Sequence, residues 1–415
     1  MSNRLVVFVA LLGLTVCAGH SQSVTEIVLP GPCAAAANAS LPALEVARER
    51  LEREVTADTF ALEASGGKLR DENDPRVKKL RKTQEDLLRV LFEMDCVERQ
   101  RRRMEIAAKR GISSGATQAG KVIEVTTYYA TNRNRSASSE PAAVYGSKVG
   151  TVLHYGRAIV TVPMTHAPGG LELPSLWRLE REPDPNRHFV LKSVVPLDTA
   201  VARAELKQKL EGSRSKALLV FVHGYNVGFG EAAMRTAQLA HDLKFSGVPL
   251  FFSWPSANKV IGYLQDAETA QLSEGVFEQL LEDLSLLPAT DIYVVAHSMG
   301  NRIVTQALKA RMDSGKKTSH LRELLLAAPD INADFFRAVI APKLAAMQGT
   351  RITVYASSSD LALRASKAVH GFRRVGETAG GVFVYPGLET IDASSASLTM
   401  RNYGPLLPDG QLFGA

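Results

Sequence analysis

The chain has 415 residues, 45% of them hydrophobic and 22% charged, with a formal net charge of +6. That composition excludes a disordered or fibrous chain and leaves room for one large domain, or two smaller ones, with a substantial core. The positive excess gathers in local clusters such as "ERQRRRMEIAAKR" (98–110), so it does not describe a basic face, and nucleic acid is not expected as a partner.

In chain order, Arg4 precedes an apolar stretch from Leu5 to Val16 that is followed by small residues, the pattern of a secretory signal peptide with cleavage after Ala18. The stretch is too short to span a bilayer as a helix and no other run is long enough, so no integral span is expected once the signal is removed. Residues 1–18 are read as the signal and the mature protein as exported, periplasmic or secreted. Leu14, three residues before Cys17, offers a lipoprotein alternative that the bulk of Val16 disfavours. The other two cysteines, Cys33 and Cys96, suit a bridge in an oxidising compartment, with free thiols as the alternative.

Apolar residues recur at helical spacing as Leu44, Leu51, Val55 and Leu62, and again as Val77, Leu80, Leu87, Leu91 and Met94. Gly66-Gly67 and Pro75 punctuate the two runs, which predicts an antiparallel helical hairpin within 33–110, suited to packing or to contact with a protein partner. "GISSGATQAG" (111–120) reads as a small-residue linker, and 121–415 as the main domain. There, "KVIEVTTYYATNR", "GRAIVTVPM" and "RHFVLKSVVPL" have the β-branched and aromatic enrichment of strands. Alternating units follow: "ALLVFVHGYN" and a helix from about Glu231, "VPLFFSWPS" and a helix over 266–287, "DIYVVAHSMG" and its helix, then "LRELLLAAPDI", "TRITVYASSSD" and "GGVFVYPGLE" as further strands. Nearly continuous apolar strands, each followed by a helix, predict an α/β fold with a mostly parallel sheet covered on both faces.

The loops at the carboxyl ends of such strands form the ligand crevice. One of them, Ala296-His297-Ser298-Met299-Gly300, departs from Gly-x-Ser-x-Gly only by Ala for the first Gly. Small flanks are what a strained strand-to-helix turn needs to lift a serine hydroxyl out of the sheet. Ser298 is therefore the candidate nucleophile, and a helix N-cap is the bland alternative. The amide of Met299 is a candidate oxyanion donor, and His223-Gly224 after an earlier strand resembles the segment that supplies the second, from Tyr225 or Asn226. Asp360 is favoured as the acid. Asp330, in "AAPDIN", has the alternative of capping the next helix. The base is the weak point: chain order puts the histidine last, yet the last histidine is His370, ahead of the final strand candidate. His297 points elsewhere if the turn is regular, and His320 precedes a strand, on the wrong edge. No metal and no cofactor are called for.

Five motifs in order, Tyr129-Ala130-Thr131-Asn132-Arg133, Phe221-Val222-His223-Gly224-Tyr225-Asn226, Ser253-Trp254-Pro255-Ser256, Ala296 to Asn301 and Tyr355 to Asp360, make the stretch from about Val122 to Tyr385 resemble a bacterial family of uncharacterised α/β-hydrolases. The resemblance implies the α/β-hydrolase fold, Ser298 as nucleophile, Asp360 as acid, and an esterase- or lipase-like activity on a small-molecule ester through an acyl-enzyme. Relatives tend to place a histidine in a C-terminal His-x-Tyr-like element, where this chain has Arg401-Asn402-Tyr403. The alternative expectation is thus a catalytically impaired pseudo-hydrolase that binds an envelope ligand or a protein partner.

Overall fold

The computed structural model describes residues 40–64, parts of 74–97, 122–174, 183–257, 263–318, 320–357 and 372–394 except 379. Signal, linker, Cys33 and Cys96 lie outside the described residues, as do Asp360 and His370. Among the described residues no helix is long and apolar enough to cross a membrane.

Among the described residues nine strands form one sheet: β1 (Ile123–Arg135), β2 (Tyr145–Val162), β3 (Val190–Leu197), β4 (Ala217–Val222), β5 (Val248–Ser253), β6 (Asp291–His297), β7 (Leu321–Ala327), β8 (Arg351–Ala356) and β9 (Glu389–Asp392). Their spatial order is β3-β2-β1-β5-β4-β6-β7-β8-β9. The β1–β2 and β2–β3 pairs are antiparallel, and every pair from β1–β5 onward is parallel. The expected mostly parallel sheet is therefore present, with an antiparallel wing at one edge.

Both faces are covered, which is why the central strands read as continuous apolar runs. Along β4, Leu218, Val220 and Val222 enter one core and Leu219 and Phe221 the other, the two-residue period of a pleated strand. The second face is covered by α3 (Phe229–Asp242) through Phe229, Ala232, Ala233 and Ala237. The first packs α2 (Thr199–Gly212), α4 (Tyr263–Ser285) and α5 (Gly300–Asp313) through residues such as Leu206, Phe277 and Ile303. Each such side chain stabilises the fold by about 1.5–3 kcal/mol on burial.

The same core includes Leu51 and Val55 from α1 (Leu41–Ala64) and Val77, Leu80 and Leu87 from the helical residues after Pro75. A Lys79–Asp58 ion pair of 2.7 Å joins these two N-terminal helical segments.

Two elements differ from expectation. The strand predicted over "GGVFVYPGLE" is not one: Val384 is exposed, Gly387 adopts φ +85° in a turn, and β9 starts at Glu389. An apolar run broken by Pro386-Gly387 makes a bend that buries Phe383, against Phe336, on one side of the turn and Leu388 on the other. Helix α2 has no counterpart among the predicted elements. Its buried face is only Ala202, Leu206 and Leu210, one residue per turn.

Candidate active site

Ser298 follows β6 directly and precedes α5 by one residue. Its φ is +48°, the left-handed region that costs an L residue about 1–2 kcal/mol, so the surroundings must impose it. Two backbones press in on the bend. A Cβ on Gly224 would come within 2.9 Å of Ser298 Cβ, and one on Gly300 would overlap the His223 carbonyl oxygen. Glycine at both positions lets the loop after β4 lie against the serine.

Hydrogen bonds hold the turn from below. Ser298 N–H donates to the last carbonyl of β7, Ala327, at 2.9 Å. The Asn301 side-chain amide donates to the Ser298 carbonyl at 2.8 Å and to Ala327 at 3.0 Å. Asn301 is a support that its place in the motif did not disclose. Ser298 itself is buried, 5% exposed. The alternative N-cap role is not taken, since the residue capping α5 is Met299 and no side-chain cap bond is made there.

The loop after β4 brings His223, Gly224, Tyr225 and Asn226 beside the bend. Asn226, at φ +56°, turns its amide to Asp266 Oδ2 at 3.3 Å. Of the two residues considered as second oxyanion donor, Asn226 is therefore committed elsewhere. Asp266, pushed above the ordinary carboxyl range by burial, also accepts from Ser256 Oγ and from Ala257 N–H. His223 is fully buried and stacks on Trp254 with ring centroids 5.2 Å apart. Burial, and after it the Arg133 charge, hold His223 well below its usual pKa, so it is neutral.

His297 takes the side of the sheet facing α3. Burial and then the Arg235 charge lower its pKa to about 4. As expected, it does not join the serine, and His320 lies at the opposite sheet edge before β7.

Asp330 is close to the bend, with its amide donating to the Ser298 carbonyl at 3.3 Å, yet its carboxylate faces two arginines and a tyrosine. Arg302 Nη2 lies 3.0 Å from Oδ2, Arg374 Nε 3.3 Å from Oδ1, and Tyr263 OH donates to Oδ2 at 2.5 Å. The next helical turn is capped by Asn332, which accepts from Asp334 and Phe335 amides at 2.9 Å each. The capping role considered for Asp330 thus falls to its neighbour, and Asp330 is the centre of an ion-pair cluster. A cavity of about 300 Å³ borders that cluster, lined by Arg302, Arg374, Gln271 and Glu274. Burial pushes Glu274 up to about 7 there, against the opposing charge of Arg302.

The chain before and after the stretch bearing Asp360 and His370 is tied next to the bend. Ser357 N–H donates to Gly376 O at 2.8 Å, Gly376 N–H to Pro329 O at 3.0 Å, and Ala328 N–H to Tyr355 O at 2.8 Å.

Residues 198–384 match the model of a family described as alpha/beta hydrolase of unknown function (DUF900). That segment is similar to this family, and the fold of the chain is that of an alpha/beta hydrolase. No curated protein shows a significant match. Among solved structures, similarity is found to a serine-to-alanine variant of an alpha/beta hydrolase enzyme from the metagenome of Lake Arreo, Spain, at 11% identity over 83% of this chain and 92% of that one, TM-score 0.25. It is also found to a hyperthermophilic esterase from the archaeon Pyrobaculum calidifontis, at 12% identity over 86% and 97%, TM-score 0.24. Arg133, Asn132 and the whole antiparallel wing lie before the matched segment of the hydrolase domain.

Proposed function

We propose that the protein is an exported serine hydrolase that cleaves carboxylic esters through an acyl-enzyme. What carries the reading is the conformation of Ser298: a strained φ of +48° at a strand-to-helix bend, with Gly224 and Gly300 packed against it. Strain of this kind persists where the surroundings over-determine it, and such positions cluster at reacting groups. In the proposed reaction Ser298 Oγ attacks the ester carbonyl carbon and gives its proton to a base. The carbon–oxygen bond to the alcohol then breaks, the alcohol leaves with that proton, and water repeats the attack to release the acid. The Met299 and Tyr225 amides are the proposed oxyanion donors, and Asp360 orients the base. His370 is the proposed base, because among the described histidines none is hydrogen-bonded to Ser298.

A catalytically impaired binding protein is the second reading, and one observation favours it. No histidine follows β9 in the sequence, whereas a serine without an aligned imidazole is a poor nucleophile.

Labelling by an activated fluorophosphonate and hydrolysis of short p-nitrophenyl esters test both. The expected result is labelling and turnover by the parent, both abolished in Ser298→Ala, and turnover lost in His370→Ala and Asp360→Asn. A parent that neither labels nor turns over would overturn the enzyme reading in favour of the binding protein.

A further inference from the structure

Arg133 lies two residues before the end of β1 and is 2% exposed, a burial that an arginine tolerates only when its donors are met. Nε donates to Ser253 Oγ at 2.8 Å, Nη1 to the carbonyls of Gly146 and Ser256 at 3.1 and 3.2 Å, and Nη2 to the Val227 carbonyl at 2.8 Å. Burial lowers its pKa to about 9, the nearby Asp266 charge opposing, so it remains a cation at neutral pH. No step of the proposed reaction uses it.

The direction of the bonds beyond it can be read from chemistry. His223 Nδ1 lies 2.8 Å from the Gly224 carbonyl oxygen, which only accepts, so Nδ1 carries the hydrogen. The ring is neutral, so Nε2 is bare, and its neighbour at 3.2 Å is Ser253 Oγ, which must donate. Ser253 Oγ in turn accepts from Arg133 Nε. The chain therefore runs one way, from the Arg133 guanidinium through the Ser253 hydroxyl and the His223 ring to the Gly224 carbonyl.

That carbonyl belongs to the same planar unit as the Tyr225 N–H. All described peptide bonds are trans, so the N–H points opposite to the carbonyl. Fixing one end of the plane fixes the other, and a donor on the carbonyl strengthens the N–H as a donor. Gly224 is also the residue that touches Ser298.

We propose that Arg133 and Ser253 are positioning residues for catalysis: with His223 they form a buried one-way donor relay that orients and polarises the Gly224–Tyr225 peptide as the second oxyanion donor beside Ser298. The inference rests on the serine-hydrolase reading for its chemical purpose. It assigns catalytic consequence to a residue outside the matched family segment, through partners 94 to 123 positions away in the chain.

Ser253→Ala removes the middle link with little change in volume, and Arg133→Lys keeps the charge but loses the fork. In variants whose unfolding temperature stays within a few degrees of the parent, kcat for a p-nitrophenyl ester falls about 10- to 100-fold while KM changes by less than about twofold, the cost of a misaimed transition-state donor. Phosphonylation of Ser298 by the fluorophosphonate slows in parallel. A folded Ser253→Ala protein with parental kcat overturns the proposal, whatever Arg133→Lys does. Nitrogen-15 shifts of His223 read the relay independently of turnover: a protonated Nδ1 and a bare Nε2 from pH 5 to 9, with the Nε2 shift moving in Ser253→Ala. An Nε2-protonated ring overturns the relay even in an active enzyme. A parent silent to ester and fluorophosphonate instead overturns the Ser298 reading, and with it the oxyanion role, while the His223 shifts still report the hydrogen bonds.

Discussion

His166 stands between two carboxylates, Nδ1 2.7 Å from Glu172 Oε2 and Nε2 2.7 Å from Asp242 Oδ1, and its side chain is only 2% exposed. Burial alone would lower its pKa, but the hydrogen bonds it donates to Asp242 and then Glu172 outweigh that, and the imidazole is raised from 6.5 to about 9. A folded pKa above the unfolded one means stability that is fully present below pH 6.5 and lost as pH rises through 9. At 1.36 kcal/mol per pKa unit the swing is about 3 kcal/mol. Part of the outer carboxylate, Glu172, is wet at 30% exposure, which trims the figure toward about 2 kcal/mol. The perturbation is His166→Gln, which spares the packing against Phe189 but cannot titrate. Urea unfolding of parent and variant at pH 6 and pH 10 isolates the group, because other titrations cancel in the difference. The stability gap between them is expected to shrink by about 2–3 kcal/mol at the higher pH. A gap that stays constant across that range would refute an imidazolium at the centre of this cluster.

Backbone strain at the bend makes Ser298→Gly more stable than Ser298→Ala by about 1 kcal/mol, since glycine adopts positive φ freely; equal unfolding midpoints would argue against the strain. Gly224→Ala forces the loop after β4 away from Ser298 and is expected to cost about 100-fold in kcat while the far-ultraviolet circular dichroism stays parental. Gly300→Ala meets backbone, the His223 carbonyl, that cannot swing aside, so a loss of about 1–3 kcal/mol in denaturant unfolding follows. Asp330→Asn leaves Arg302 and Arg374 facing a neutral group and should destabilise by about 3–5 kcal/mol, yet the folded fraction keeps fluorophosphonate labelling; complete loss of labelling would restore Asp330 as a candidate for the catalytic acid.

Much of the domain is legible in the amino-acid sequence. The apolar runs of β4 to β8 are legible because a strand buried on both faces has no polar positions to break the pattern. Small residues around Ser298 announced a sharp bend, since only they let two backbones approach. Where one apolar run held a Pro386-Gly387 turn, the pattern placed β9 several residues early. Helix α2 escaped notice because three buried side chains spaced a turn apart barely rise above a polar background.

Sequence alone determined the layered, mostly parallel sheet, the strand-helix alternation through its centre, and the position at which a serine would be strained, all of which depend on local pattern and backbone sterics. Only the tertiary structure decided which way the polar groups face. It committed the Asn226 amide to Asp266, put Asp330 between two arginines, sent His297 toward α3, and buried Arg133 behind the loop beside Ser298. Those choices depend on hydrogen-bond partners that approach only when strands distant in the chain lie side by side, and no spacing in the sequence encodes the direction of a donor.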